Sequence, residues 1–321
     1  MSLPGVMARP TIAQTLAAAA ARLAAAGVAD PRRDARLLIA AAIEAGPERL
    51  IAEPERVLGA AEAARIEASI SRRAAREPVS RILGRRGFWS LEFEITPDTL
   101  DPRPDSEALV AAVLARIGAQ GLVGAPLSVL DLGTGSGCLL LALLSELPAA
   151  TGLGLDISAA ALDVARRNAR NLGLSDRARF EVGDWAEDWA GDWAGDWPGG
   201  WPGDSAAGSA GSWQVIVSNP PYITDNEIGD LAPEVARYDP KLALTAGSDG
   251  LDAYRKLLPR AARLLERGGV LALEVGRGQQ DAVTALLAAS GLTPLSRYRD
   301  LGGIERCLLA TCGNPGDLAR K

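Results

Sequence analysis

The chain reads as an α/β protein in which a mostly parallel, doubly wound sheet of seven strands follows a small helical domain. Two observations carry that expectation. Residues 11–77 read as helices, and from Ser106 onward short apolar strands alternate with helices. Alternation of that kind needs crossover connections, and crossovers place the strands parallel, with helices covering both faces.

The helical part opens at Thr11, which forms a T-x-x-Q capping box with Gln14. The Ala/Leu-rich run Thr15–Val28 is interrupted by Arg22. It falls short of the roughly 18 apolar residues a membrane span requires, so it reads as a folded helix and not a targeting segment. Asp30 is a natural N-cap with Pro31 at the first helical position, leading into Ala35, Leu37, Leu38 and Ile39, and Gly46-Pro47 is expected to end that helix. A further Ala-rich helix over 60–76 sets Ile66 and Ile70 on one side and arginines on the other. Phe88–Ile95 switches to period two, the signature of a strand or hairpin, and Pro97, Pro102 and Pro104 mark an extended connection. The division this implies is a helical docking domain at 1–85, a hairpin and linker at 86–105, and the α/β domain at 106–321.

Within the α/β part the expected strands are Ser128–Leu132, Gly152–Asp156, Ala178–Val182, Gln214–Ser218, Gly269–Val275 and two runs near 292–298 and 305–311. Helices are expected at Cys138–Leu147, Ala159–Asn171, Leu251–Leu265 and Gln279–Ala289. Ligands of such sheets bind beyond the carboxyl ends of the strands, so motifs falling there carry the functional argument.

Composition narrows the chemistry. There is no histidine, which removes the familiar zinc ligand sets and the Ser-His-Asp hydrolases, and no metal site is expected. Three scattered cysteines, Cys138, Cys307 and Cys312, form no C-x-x-C pair and fit a reducing, cytoplasmic setting. The formal charge is −6. Six acids with no basic residue stand in 184–204, so the rest of the chain is balanced. Residues 1–86 carry 14 Arg against 9 acids, with Arg72, Arg73, Arg76, Arg81, Arg85 and Arg86 close together. That is a modest basic face, short of the footprint of a nucleic-acid binder.

The acidic stretch repeats Asp-Trp every four residues at 184–185, 188–189, 192–193 and 196–197, then dissolves into Pro, Gly and Ser through Ser212. A four-residue period is too short for a solenoid unit, and 184–212 reads as a low-complexity loop insertion.

Three motifs carry chemistry. The first is Gly133-Thr134-Gly135-Ser136-Gly137 after Asp131-Leu132, placed between a strand and a helix, where glycines let a ligand approach the main chain. Asp156 closes the next strand, positioned to accept hydrogen bonds from a ribose. Together they indicate an adenosine-containing cofactor. The NAD fingerprint needs Gly or Ala where this chain has Cys138, and the G-x-G-x-G spacing instead resembles the S-adenosyl-L-methionine (AdoMet) loop of class I methyltransferases. Asp184 and Trp185 follow the third strand, where Trp185 can stack on adenine, a contact worth about 1–3 kcal/mol, and Asp184 can accept its exocyclic amine.

The decisive motif is Asn219-Pro220-Pro221-Tyr222 at the end of the fourth strand. The lone pair of an amide nitrogen is delocalised, as the peptide rotation barrier of about 18–20 kcal/mol attests. Such a nitrogen must be held in line with the methyl group and have its N–H groups engaged. The Asn219 side-chain oxygen and the Pro220 carbonyl supply two acceptors, both prolines stiffen the loop, and Tyr222 offers a ring to a planar substrate group.

With Glu77-Pro78-Val79, Ile82-Leu83-Gly84, Phe88-Trp89, Pro102-Arg103-Pro104-Asp105-Ser106-Glu107 and Gly302-Gly303-Ile304-Glu305-Arg306, the sequence resembles the HemK/PrmC family, the protein-(glutamine-N5) methyltransferases of release factors, over nearly its full length. The resemblance implies a class I, Rossmann-like AdoMet-dependent methyltransferase. It implies that Gly133, Thr134, Gly135, Ser136, Gly137, Asp156, Asp184, Trp185 and Asn219 bind AdoMet. It further implies that Asn219, Pro220, Pro221 and Tyr222 hold the target glutamine, with the Pro102–Glu107 segment, Arg103 and Glu107 in particular, near the reacting centre. The expected partner is a class 1 peptide chain release factor, methylated on the glutamine of its Gly-Gly-Gln motif. A monomer is expected, with no stable nucleic-acid or membrane partner. Asp101 departs from the family, which usually has Ile or Val there. The alternatives are methylation of adenine N6 or another nucleic-acid amino group, for which the balanced charge leaves no obvious groove, and a catalytically silent adaptor, against which the intact motifs speak.

Overall fold

The computed structural model describes residues 9–184 and 213–313. Trp185 and the rest of the acidic Trp repeat lie outside the described residues. The chain divides into two compact units, residues 1–85 with 232–238, and residues 86–231 with 239–321.

The first unit packs α1 (Ile12–Ala25), α2 (Pro31–Ala42), α3 (Arg49–Ala52), α4 (Ala60–Ala74) and α5 (Val79–Leu83) around Ile12, Leu23, Leu38, Ile39, Ile66 and Ile70. The expected capping box forms at α1: the Thr11 N–H donates to Gln14 Oε1 at 3.0 Å and the Gln14 N–H to Thr11 Oγ1 at 3.3 Å. Asp30 caps α2 by accepting from the Arg33 N–H. That helix ends at Ala42, ahead of Gly46-Pro47, because Glu44 already takes a left-handed φ of 54°. No described helix is long and apolar enough to cross a membrane.

The arginine cluster is largely consumed inside this unit. Arg73 donates to Asp34 at 2.7 Å and to Glu234 at 3.0 Å, Arg76 clasps both oxygens of Glu234 at 2.7 Å, and Arg72 grips Glu77. Burial works against the Glu234 charge, but the bonds from Arg76 and Arg73 outweigh it and hold the carboxyl below its ordinary range.

The second unit begins with a hairpin, β1 (Arg85–Phe88) and β2 (Leu91–Glu94), closed by Trp89 and Ser90 at φ 51° and 60°. Two consecutive left-handed residues define a type I′ turn, whose twist matches that of the strands. Phe88 and Phe93 meet edge to face at 6.2 Å. There follow α6 (Glu107–Ala119), β3 (Ser128–Leu132), α7 (Cys138–Glu146), β4 (Thr151–Asp156), α8 (Ala159–Asn171), β5 (Ala178–Val182) and β6 (Trp213–Ser218). After α9 (Pro233–Tyr238), which lies in the first unit, come α10 (Asp252–Leu264), β7 (Leu265–Glu274), α11 (Gln280–Ala289), β8 (Thr293–Arg299) and β9 (Glu305–Thr311).

The sheet has the seven strands expected, in the order β5-β4-β3-β6-β7-β9-β8. All pairings are parallel up to β7, and β9 runs antiparallel to both β7 and β8. Alternate strand residues feed two cores, Val129, Val215 and Val217 toward α6, α7 and α8, and Leu130, Ile216 and Leu271 toward α10 and α11. Both faces are therefore buried, which explains why these strands read as continuous apolar runs. From β3 the chain winds outward through β4 to β5, then returns to the other side of β3 as β6. That reversal opens a crevice between the carboxyl ends of β3 and β6.

Asn168 on α8, fully buried, joins the hairpin to this crevice. Its Oδ1 accepts from the Glu94 N–H at 2.7 Å, and its Nδ2 donates to the carbonyls of Glu94 and Ser136 at 3.0 and 2.9 Å. Asn168→Leu fills the same volume but strands the buried Ser136 carbonyl and two part-buried main-chain groups of Glu94, a buried group costing about 1–3 kcal/mol when unmet. The variant is expected to lose about 2–4 kcal/mol of stability after partial relaxation, read as a lower urea midpoint at unchanged slope.

Candidate active site

The glycine loop is held from beneath. The Gly133 and Thr134 N–H groups both donate to Leu155 O at 2.9 Å, which pins the loop to the end of β4. Gly133, Gly135 and Gly137 take φ values of 75°, 56° and 81°, conformations that favour glycine. A Cβ at Gly137 would lie 3.2 Å from Ala165 Cβ and Leu141 Cδ1, so the loop also has little room for a side chain there. Thr134 and Ser136 are buried, and the Thr134 hydroxyl donates to Asp131 Oδ2 at 2.7 Å. Burial pushes the Asp131 carboxyl up to about 7 against that bond.

Asp156 is fixed by the main chain, its Oδ2 accepting from the Gly135 N–H at 2.8 Å and its Oδ1 from the Ser158 N–H at 2.9 Å. With the N–H groups of Gly135, Ser158 and Ile157 engaged, the carboxylate still has acceptor capacity for a further donor. Burial raises the Asp156 carboxyl above its ordinary range, while the N–H groups of Ser158, Gly135 and Ile157 counteract it.

The crevice is a cleft of ≈ 340 Å³ whose lining includes Gly133, Asp156, Ile157, Asp184, Asn219 and Pro221. Sites for small molecules typically span about 300–1,000 Å³. Of the loop only Gly133 lines it; Thr134, Gly135, Ser136 and Gly137 shape the turn beneath. The donor set suits AdoMet. A glycine main chain allows close approach, the Asp156 carboxylate lines the cleft and could accept from hydroxyls, exposed Ile157 is apolar, and Asp184 is an acceptor beyond the end of β5.

Asn219 follows Ser218, whose hydroxyl donates to Leu132 O at 2.7 Å and so clamps β6 to β3. Asn219 and Pro221 line the cleft, whereas Pro220 is buried and Tyr222 packs against the core beneath α10. Burial, reinforced by the neighbouring Glu274 charge, raises the Tyr222 phenol well above its usual range.

Ser106, from the Pro102–Glu107 segment, and three residues to which the sequence assigns no role, Glu274, Gln279 and Gly250, support this motif. Ser106 Oγ accepts from Asn219 Nδ2 at 3.2 Å and donates to Glu274 Oε2, and Tyr222 donates to Glu274 Oε1 at 3.2 Å. Gln279 donates to the carbonyls of Tyr222 and Gly250 at 2.9 and 3.2 Å. A Cβ at Gly250 would meet Tyr222 O at 2.4 Å, so only glycine permits that approach. In sequence, a Glu ending the apolar run Val270-Leu271-Ala272-Leu273 was the one available signal, since a buried acid must find partners.

Arg103 and Glu107 stand to one side and do not line the cleft. Arg103 pairs with buried Asp239, and Glu107 Oε1 accepts from the Trp89 N–H at 2.8 Å, holding the strained hairpin turn. Asp101, where the family usually has an apolar residue, is buried with Arg86 Nε 3.7 Å away.

Comparison with known proteins agrees with this geometry. Residues 14–84 match the PrmC N-terminal domain and residues 125–193 a methyltransferase domain. The chain is 50% identical over 289 residues to a release factor glutamine methyltransferase of Rhodospirillum rubrum, covering 90% of this chain and 81% of that one. It is 43% identical to the protein of that name in Cereibacter sphaeroides, over 93% of this chain and 97% of the relative. For the one in Caulobacter vibrioides the identity is 41%, over 93% and 96%. A doubly wound sheet with a glycine loop and a cleft-lining carboxylate at its switch point, joined to the methyltransferase domain match, defines an AdoMet-dependent methyltransferase. More narrowly, the chain belongs to the family of release factor glutamine methyltransferases.

Asp156→Asn is expected to weaken AdoMet binding about 10–100-fold, the worth of hydrogen bonds to a charged acceptor. Hydroxyl donors favour the ionised carboxylate. Wild-type affinity should therefore be constant at high pH and fall as pH drops through the raised Asp156 value, while Asp156→Asn stays flat. Calorimetric titration of AdoMet across this range measures both.

Proposed function

We propose that the protein methylates the side-chain amide N5 of the glutamine in the Gly-Gly-Gln motif of class 1 peptide chain release factors. The observation that carries the reading is that Asn219, at the end of β6, lines the same cleft as Gly133 and Asp156. An amide held by Asn219 then lies next to the cofactor position.

AdoMet supplies an electrophilic methyl group on a positively charged sulfur. Gly133 and Asp156 hold its adenosyl part, with Asp184 on the adenine side. Asn219 Oδ1 and the Pro220 carbonyl accept the two N–H bonds of the substrate amide, which aims the nitrogen lone pair across the cleft. Pro220 and Pro221 bring no N–H groups to compete for those acceptors. Hydrogen bonds at its hydroxyl and its carbonyl hold Tyr222 against the core, so it steadies the Asn219-Pro220-Pro221 loop from behind the cleft. One amide proton is released to water once the new N–C bond has formed, so no strong base is needed.

A nucleic-acid substrate finds little support. Arg72, Arg73 and Arg76 are paired with Glu77, Asp34 and Glu234, which reduces what this cluster could offer to phosphates. The arrangement favours a protein substrate docked by shape, with the helical unit as the docking surface.

Incubation with methyl-labelled AdoMet and release factor is expected to label the factor, and Gln→Ala in its Gly-Gly-Gln motif to abolish the label. Label found only on DNA or RNA would refute the proposal. Asn219→Ala should reduce transfer at least about 100-fold, as loss of an in-line positioning group does, while AdoMet binding changes little. An active Asn219→Ala enzyme would remove the role assigned to it.

A further inference from the structure

A carboxamide can face a substrate in two ways, and only one presents an acceptor. With Nδ2 outward, Asn219 would oppose donors to the donors of the substrate amide. Something must therefore choose the rotamer, and the partners of Asn219 contain that choice.

Glu274 ends β7 and is 2% exposed. An ionised carboxylate offers only acceptors, whereas a serine hydroxyl has a single proton to donate. Because Ser106 donates its proton to Glu274 Oε2, its oxygen can only accept from Asn219. Only the Nδ2 of Asn219 can donate, so Oδ1 is turned away from Ser106. The second carboxylate oxygen accepts from the Tyr222 hydroxyl at 3.2 Å. One buried charge thus reaches both ends of the Asn219–Tyr222 motif.

From this chain of contacts we infer that Glu274 is a positioning residue for methyl transfer, fixing through Ser106 the direction in which the Asn219 amide faces and through its hydroxyl the ring of Tyr222. The inference rests on the reading of Asn219 as the acceptor for the substrate amide. It adds a pH-sensitive element to that reading. A proton on Glu274 turns one of its oxygens into a donor, frees the Ser106 proton for Asn219, and lets the amide turn over.

The titratable and charged groups around Glu274 are Tyr222, Tyr254, Asp105, Cys138 on α7, and Arg306 and Cys307 on β9. Burial raises the Glu274 carboxyl above its ordinary range. Ser106, Tyr222 and Arg306 draw it back, and Asp105 adds to the rise. Tyr254 donates to the Glu274 carbonyl at 2.9 Å and so holds the main chain without engaging the carboxylate.

The test compares wild type with Ser106→Ala and Glu274→Gln at saturating AdoMet, with release factor as methyl acceptor. Both variants are expected to lose about 10–100-fold in kcat, the scale of a misaligned reacting group. The KM for release factor and the Kd for AdoMet should change less than about threefold, since neither rests on the amide's direction. Wild-type kcat should fall on the acid side, at pH above the ordinary carboxylate range, and Glu274→Gln should lack that limb. Either variant transferring methyl at the wild-type rate, or an acid limb kept in Glu274→Gln, overturns the inference. Should Glu274→Gln fail to fold, Ser106→Ala decides on kcat against KM, because it leaves the buried charge in place. Failure of the functional reading is seen separately, as wild-type protein that leaves release factor unlabelled.

Discussion

The active site depends on one buried hydrogen bond and the strand pair it closes. Ser218 Oγ donates to Leu132 O at 2.7 Å, at the last residues of β6 and β3. These two strands leave the sheet toward loops that diverge, since the crossover after β3 runs to one side and β6 is entered from the other. The crevice between them is lined at its base by residues that the strand ends aim, Gly133, Asp156 and Asn219 among them, with the 240–256 segment along one side. Gly133 stands directly after Leu132 and Asn219 directly after Ser218. The cofactor loop and the acceptor motif are thus held one residue from a common clamp, which gives a transfer reaction the fixed separation it needs.

The same economy governs the cofactor side. Leu155 O receives two N–H groups of the glycine loop, and the next residue, Asp156, receives a third through its side chain. One strand end therefore shapes the loop and presents the carboxylate to the cleft. Substituting the glycines would disturb more than a direct contact, because the left-handed turns at Gly133 and Gly135 are what point those N–H groups back at β4. Gly154 serves the same packing from below. A Cβ there would come within 2.7 Å of Phe180 and of the Thr134 hydroxyl that supports Asp131.

Sheet, crossovers and main motifs were legible in sequence because they depend on local patterns: apolar runs of strand length, glycines between strand and helix, and N-P-P-Y after a strand. The capping box at Thr11 and the cap at Asp30 were legible for the same reason, each being settled within four residues. What escaped reading joins distant positions. Ser106 meets Glu274 across 168 residues, and Arg73 meets Glu234 across 161. No periodicity encodes such pairs. The basic cluster at 72–86 looked like a surface face because its acidic partners Asp34 and Glu234 lie far away in the chain. Asp101 departs from the family pattern, and Arg86 beside it gives the buried carboxylate a cationic neighbour. Glu107, expected from its motif near the reacting centre, has its carboxylate on a turn whose strain shows only in its φ angles.

A buried carboxylate is costly, and its survival at the end of β7 needs a reason beyond packing. Val270 to Leu273 and Val275 beside Glu274 are apolar and buried, and an apolar side chain would fill the position without a desolvation penalty. Two hydroxyl donors offset part of that penalty. They do so by giving up their own protons in a fixed direction, which an apolar residue cannot demand of them. The gain is therefore in orientation more than in stability. For a reaction that needs no strong base and whose nucleophile is an amide, the protein's main task is to hold acceptors facing the right way. Two prolines without N–H groups, a glutamine clip on Tyr222 and a charge that dictates the sense of each hydrogen bond all serve that task.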